Sequence, residues 1–217
     1  MRPKSRPDDD GRATSIFLFI TRSFFRKITM IIYRIRVSLL DIRPLIWRRF
    51  ELSSQTTLKQ FHRILQIVMG WGNYHLHEFL VGTKRYGIPD PDYDDPGDVI
   101  VESKIVLSEV LPSAGAEISY VYDFGDNWRH LIALEEIVPA LPEGEYPRVI
   151  DGERSGPPED SGGTTGYANL LEVLLDPAHD EYEHMHMWAG EKFNAEVLSV
   201  KDINRRLRRN PSLSAKV

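Results

Sequence analysis

Residues 117–137 read EISYVYDFGDNWRHLIALEEI, and their pattern indicates the fold class. Apolar and polar residues alternate from Ile118 to Phe124, which is typical of a strand with one buried face. Gly125–Asn127 is a turn signal, and residues 128–137 then predict the returning strand of a hairpin. The chain is therefore expected to contain an antiparallel sheet.

The residues before this hairpin predict three more strands and one helix. Strands are expected over residues 31–39, 45–52 and 75–81. Thr57 followed by Gln60 is a capping box that begins a helix. The apolar face of that helix contains Leu58, Phe61, Leu65 and Val68. This order predicts an α+β domain with a β-grasp-like mixed sheet packed on one helix.

The residues after the hairpin predict a long loop and a C-terminal helical segment. Residues 139–166 hold five prolines and six glycines, which favours loop over sheet. Three helices are expected to follow, with Thr165 capping the first and Ser199 capping the third. The second should cover residues 180–189, with Met185, Met187 and Trp188 on its buried face.

These elements divide the chain into an N-terminal extension (1–29), a single domain (30–209) and a tail (210–217). The domain has a sheet part, 30–138, followed by a loop and helical part, 139–209.

The N-terminal extension contains a short apolar run, Ile16–Ile20, followed by Arg22. This run is far shorter than the ~20 residues of a membrane helix, so no membrane span is predicted. An amphipathic surface anchor is one interpretation. An upstream extension, with Met30 as the natural start of the fold, is favoured because the strand pattern begins directly after it.

The charge of the chain is unevenly distributed. The net charge is -5, but residues 1–29 carry +4 and residues 200–217 carry +5, which leaves -14 on the middle. An acidic body argues against a broad nucleic-acid-binding face there, although a basic tail can contact phosphates. The absence of cysteine excludes disulfides and thiolate metal sites, and it fits a cytoplasmic protein.

Several motifs in fixed order resemble one known family. They are Tyr33–Ile35, Pro44–Arg49, Leu58–His62, Met69–Trp71, His75–Phe79, Tyr122–Trp128 and Pro157–Asp160. Together they resemble the plasmid pRiA4b ORF-3-like family over about residues 31–209. The resemblance implies an α+β protein coded on plasmids or carried as a passenger of insertion elements. Some members have a resolvase-like name, but no serine or tyrosine nucleophile stands among clustered arginines here.

The resemblance also exposes one departure. Many relatives carry cysteines on both sides of the Pro-Pro-Glu-Asp segment, where this chain has Gly156 and Ser161. If those relatives use the pair to hold a metal, this protein has lost those ligands.

His75 and His77 alternate on a predicted strand, so both imidazoles are expected on one face. Two such histidines can ligate a divalent transition metal, with Glu159 or Asp160 completing the site. The alternative is that His75 ends a turn and His77 packs against the helix. We predict no cofactor from spacing alone and keep the metal as the alternative.

Asp123, Asp126 and His130 surround the hairpin turn. Either carboxylate could orient His130 as a general base. The alternative is that the carboxylates accept backbone N–H bonds within the turn, and it is favoured because no nucleophile accompanies these residues.

Pro157, Pro158, Glu159 and Asp160 form a candidate binding loop. Rigid prolines followed by two acids and two glycines predict a defined loop that exposes carboxylates. The alternative is a structural lid over the sheet.

Arg205, Arg206, Arg208 and Arg209 are the densest basic run. They could bind nucleic-acid phosphates, or they could neutralise the acidic body and the helix C-terminus.

Three functions follow from these residues. The leading hypothesis is a non-enzymatic accessory or binding domain associated with mobile elements, with an unknown protein or nucleic-acid partner. The second is a metal-dependent hydrolase that uses the His, Asp and Glu residues. The third is nucleic-acid binding through the basic C-terminal helix.

Overall fold

The computed structural model describes residues 30–90, 92 and 97–216, so the expectations for residues 1–29 lie outside it. Its strands are β1 Ile31–Leu39, β2 Trp47–Ser53, β3 His77–Val81, β4 Lys84–Gly87, β5 Val99–Val101, β6 Glu117–Tyr122, β7 Trp128–Pro139, β8 Glu145–Tyr146, β9 Arg148–Glu153 and β10 Ala215–Lys216. Its helices are α1 Leu58–Met69, α2 Leu107–Val110, α3 Gly163–Leu175, α4 Tyr182–Ala189 and α5 Val200–Arg208.

A mixed sheet of eight strands forms the body of the fold, in the order β5-β4-β3-β6-β7-β1-β2-β9. Neighbours are antiparallel except for the parallel pair β4 and β5. The predicted hairpin is β6 and β7, where Tyr122 pairs with Trp128. The predicted α+β class is therefore confirmed, whereas the finer likeness to a β-grasp stays a prediction.

Helix α1 packs its apolar face onto this sheet. Thr57 accepts a bond from the Gln60 backbone, and the Gln60 side chain accepts one from the Thr57 backbone, as the capping box predicts. The Phe61 ring lies between those of Phe50 and Phe79, with centroids 5.9 Å from each. Burial of this helix face fixes the end of α1 above the sheet, where the loop 70–76 begins.

The sheet extends further than the sequence indicates. The predicted loop over 139–166 contains β9, which pairs with β2 through Phe50 and Val149. Asn204 of α5 exchanges two hydrogen bonds with the Val149 backbone and covers this edge. Prolines and glycines flank β9 and favour a loop in the sequence. The six residues of the strand alternate too briefly to predict a strand against that signal.

Helix α4 also differs from expectation, since none of its residues is buried and Met187 is 76% exposed. The helix contacts α3 at the surface, and of its predicted buried face only Met185 is partly buried against the core, whereas Met187 and Trp188 are exposed. No helix in the described part of the chain has the length and apolar character needed to cross a membrane.

Candidate metal centre

Three loops meet at one end of the sheet. They are residues 70–76 after α1, residues 123–127 between β6 and β7, and residues 156–162 before α3. The Asp123 amide donates to the Leu76 carbonyl at 2.9 Å, and the Gly162 amide donates to the Asp126 carboxylate at 3.1 Å. These two hydrogen bonds hold the three loops together.

His75, Asp123 and Asp160 come together at this junction, one from each loop. His75 Nε2 lies 2.9 Å from Asp160 Oδ1 and 3.6 Å from Asp123 Oδ2. One ligand atom from each residue lies within 4.8 Å of the others. His75 Nε2 is buried and makes no aligned hydrogen bond within the described structure, despite its short distance to Asp160. We call this set the His75 cluster.

Asp123 divides its two oxygens between the turn and the His75 cluster. Oδ1 accepts the Gly125 amide at 2.9 Å and the Asp126 amide at 3.3 Å. Its backbone φ of 57° is in the left-handed region, which an aspartate tolerates when its side chain closes the turn. The backbone-bonding alternative therefore describes Oδ1, while Oδ2 faces His75.

The Pro-Pro-Glu-Asp loop is fastened to the rest of the site by two side chains. Glu159 accepts hydrogen bonds from the Tyr122 hydroxyl and, at 3.1 Å, from the Gly72 amide. Burial and the bond to Glu159 raise the pKa of Tyr122. Trp71 Nε1 donates to the Pro157 carbonyl at 2.9 Å. Glu159 thus anchors the loop, whereas the Asp160 carboxylate belongs to the His75 cluster.

The predicted pairing of His75 with His77 on one strand face is wrong. Strand β3 begins at His77, so His75 lies in the preceding loop. His77 Nε2 bonds Glu102 at 2.8 Å, and its ring stacks on that of His62. His77 therefore belongs to a separate buried network beneath the His75 cluster.

That network also contains Tyr120 and Asn73. His62 Nδ1 lies 2.8 Å from the Tyr120 hydroxyl, and His62 Nε2 hydrogen-bonds Asn73 Oδ1. Burial, reinforced by the neighbouring His77, lowers the pKa of His62 to about 3. His62 is therefore neutral near pH 7.

His130 does not contact the carboxylates expected to orient it. It is fully buried, with Nδ1 3.3 Å from the Tyr120 carbonyl and its ring edge-on to Trp71. Burial lowers its pKa to about 4. Asp123 and Asp126 bond backbone amides instead, so these three residues do not form an Asp–His pair.

The four C-terminal arginines are exposed around α5 and its end. Arg205 pairs with Asp202 at 2.8 Å, while Arg206 and Arg208 line different cavities. The basic run therefore does not present a single face.

Gly156 and Ser161, the two positions at which the resemblance implies cysteines in relatives, differ in their surroundings. A Cβ on Gly156 would lie 2.1 Å from the Met69 carbonyl oxygen, so the backbone here leaves no room for a side chain. Ser161 is buried, and its Oγ has no hydrogen-bond partner among the described residues.

Sequence reasoning missed the role of Tyr122, Trp71 and Glu102. Tyr122 and Trp71 carry one indirect signal, since large polar aromatics in a core need a hydrogen-bond partner. Nothing in the sequence marks Glu102 as buried.

The family model described as plasmid pRiA4b ORF-3-like protein matches residues 31–202. The uncharacterized protein y4hQ of Sinorhizobium fredii (strain NBRC 101917 / NGR234) is 33% identical over 175 residues, which cover 80% of this chain and 89% of that protein. The crystal structure of a protein of unknown function, MM3350 from Methanosarcina mazei Go1, has a TM-score of 0.72 and 37% identity, covering 80% of this chain and 98% of that one.

Proposed function

We propose that this chain, which belongs to the plasmid pRiA4b ORF-3-like protein family, is a binding domain built around one divalent transition-metal ion. His75, Asp123 and Asp160 would hold the ion. The single observation that carries this proposal is the convergence of three donor atoms from three separate loops within 4.8 Å.

The donor set suits a transition metal. Imidazole nitrogen favours zinc, iron, nickel or copper, and carboxylate oxygens accept zinc and manganese as well. Three protein ligands leave coordination positions open, as in metal sites that also bind an external molecule. The bound ion would therefore supply a Lewis-acidic position for a donor group of the ligand.

A simple ion pair is the competing explanation for the His75 cluster. A protonated His75 between two carboxylates should donate an aligned hydrogen bond to one of them, because charge-assisted bonds favour short, linear geometry. His75 Nε2 makes no such bond, although Asp160 Oδ1 is 2.9 Å away. A lone pair on His75 Nε2 that is available to donate to a metal ion accounts better for this geometry.

Binding is favoured over hydrolysis because the neighbouring acid and base groups are already engaged. Glu159 bonds Tyr122 and a backbone amide, and Asp126 bonds the Gly162 amide. His130 is fully buried, with its ring edge-on to Trp71. Among the described residues, this leaves no carboxylate or imidazole free beside the cluster to activate water.

The cellular setting belongs to the same proposal. The family's description names a plasmid open reading frame, which supports an accessory role linked to mobile elements. The cysteine-free composition supports a cytoplasmic location.

Metal analysis of the untagged chain tests the proposal. The protein is dialysed against a weak chelator, analysed by inductively coupled plasma mass spectrometry, and then titrated with Zn²⁺, Mn²⁺ and Co²⁺. We expect about one ion per chain, since the three ligands form one site. Failure of all three ions to bind stoichiometrically would overturn it.

A further inference from the structure

A cavity of about 630 Å³ lies on the far side of the Pro-Pro-Glu-Asp loop from the His75 cluster. Pro157 and Pro158 form one wall, and the segment from Lys192 to Arg206 forms another. Arg48 of β2 also lines it. The volume is in the range of small-molecule sites, which is about 300–1,000 Å³.

Arg48 is the unusual residue of this cavity, because it is 1% exposed. Its Nε donates to the Val68 carbonyl at 3.0 Å, and its Nη1 donates to the Trp47 and Glu153 carbonyls at 2.8 Å each. No carboxylate of the described residues pairs with it, and its Nη2 makes no hydrogen bond to them.

A structural role explains only part of this arrangement. The three carbonyls tie β2, β9 and the end of α1 together, and the last turn of a helix offsets some positive charge. Burial lowers the pKa of Arg48 to about 10, so the group is still a cation near pH 7. A buried cation without a counter-charge is costly, and neither Nη2 proton has an acceptor among the described residues.

The mouth of the cavity adds two cations. Lys192 and Arg206 are exposed, line the cavity and take part in none of the ion pairs of the described residues. The carboxylate of Asp202 also lines the cavity but is paired with Arg205. Helix α5 begins at this point, with Ser199 as its N-cap, and its first amides add partial positive charge.

We propose that this cavity binds the phosphate group of a small molecule, with Arg48 Nη2 at its floor and Lys192 and Arg206 at its mouth. A planar guanidinium and two flexible cations match an oxyanion with two negative charges. The site is independent of the metal, although the same loop borders both, with Pro157 and Pro158 on this side and Asp160 on the other.

Calorimetric titration with inorganic phosphate tests the proposal, at constant ionic strength and in the presence of EDTA. Chloride at the same ionic strength is the reference. We expect saturable binding by the full chain and about a tenfold weaker affinity in Arg206→Gln, which loses one charge-assisted bond. Arg209→Gln is the matched control, because Arg209 is exposed on the same segment but does not line the cavity.

Two results would overturn the proposal. One is the absence of saturable heat. The other is equal weakening in Arg206→Gln and Arg209→Gln, which would indicate diffuse attraction to the basic helix, as in non-specific nucleic-acid binding. Because EDTA removes any bound metal, this titration tests phosphate binding alone. Phosphate binding is therefore expected even if the metal proposal fails.

The role of Arg48 in phosphate binding is tested by a separate measurement. Arg48→Lys keeps the charge but loses the guanidinium fork, so phosphate binding should fall at least about tenfold if the variant folds. NMR of the Arg48 guanidinium in the unmodified chain avoids the folding question. Its signals should shift saturably with phosphate, and unchanged signals would contradict the assignment.

Discussion

The imidazole of His62 lies flat on the imidazole of His77, with ring centroids 3.4 Å apart and planes 4° from parallel. Both side chains are buried. Two cations at this separation would repel strongly in a low-dielectric interior, so the stack requires a neutral ring. His62 supplies it, because burial and then the neighbouring His77 lower its pKa to about 3.

The first prediction concerns acid stability. His62 and His130 have folded pKa values of about 3 and about 4, below the 6.5 of an unfolded histidine. As pH falls through 6.5 the unfolded chain takes up these protons first, so stability is complete above 6.5 and decreases toward the folded pKa values. Between pH 6 and 5 the slope of the unfolding free energy should be about 2–3 kcal/mol per pH unit, since two protons are involved.

Urea unfolding at several pH values measures this slope. In His62→Gln it should fall by roughly half, since one of two protons is removed from the balance. His184→Gln is the control, because it replaces an exposed histidine of α4 and leaves both buried histidines in place. A flat profile in the unmodified chain would contradict the assignment of two neutral buried histidines.

The second prediction concerns Glu102, the partner of His77. The Glu102 side chain is 3% exposed and lies 2.8 Å from His77 Nε2. Glu102→Gln keeps the shape but removes the charge, which should lower the unfolding free energy by about 1–3 kcal/mol. The exposed Glu191→Gln should change it by less than about 0.5 kcal/mol. Equal urea midpoints for the two variants would show that the pair is not charge-assisted.

The third prediction concerns the ligands of the proposed metal. Asp160 is 67% exposed at its side chain, so Asp160→Asn should not disturb folding. Loss of a direct ligand should weaken Zn²⁺ affinity at least about 100-fold, since losing even a supporting group costs 10–100-fold. Asp180→Asn, an exposed carboxylate between α3 and α4, is the control. Unchanged Zn²⁺ affinity in Asp160→Asn would remove Asp160 from the site.

Local pattern predicts the elements whose partners lie nearby in the chain. The β6–β7 hairpin follows from alternation and its turn, and α1 follows from apolar periodicity and the Thr57 cap. Strand β9 is not predicted, because its partner strand β2 lies nearly 100 residues earlier in the chain. Its six residues carry too little alternation to overcome the neighbouring Pro147 and its own Gly152.

The His75 cluster shows the same limit. The sequence names all three residues and offers Glu159 or Asp160 as a partner of His75, but it adds His77 by alternation and groups Asp123 with His130 by proximity. The actual grouping depends on loops in which Asn73, Asp123 and Asp160 have φ of 56–63°. Such left-handed residues redirect the chain, and single-sequence patterns do not locate them.

The last prediction concerns Gly156, where the backbone of the Pro-Pro-Glu-Asp loop packs closely against the end of α1. A Cβ there would lie 2.1 Å from the Met69 oxygen and 3.0 Å from its carbonyl carbon, both backbone atoms. Gly156→Ala should therefore lower the unfolding free energy by about 3 kcal/mol or more, at the upper end of overpacking costs. Gly115→Ala has open space and suffers only its positive φ of 84°, which costs about 1–2 kcal/mol.

The two glycine variants should also differ in metal binding. Relief of the Gly156 clash moves the loop that carries Asp160, so Zn²⁺ affinity should fall together with stability. Gly115 lies outside the three loops of the His75 cluster, so Gly115→Ala should bind Zn²⁺ as the unmodified chain does. Calorimetric titration at a temperature where both variants are folded makes the comparison. Normal Zn²⁺ affinity in a destabilised Gly156→Ala would show that the cluster does not depend on the contact between this loop and α1.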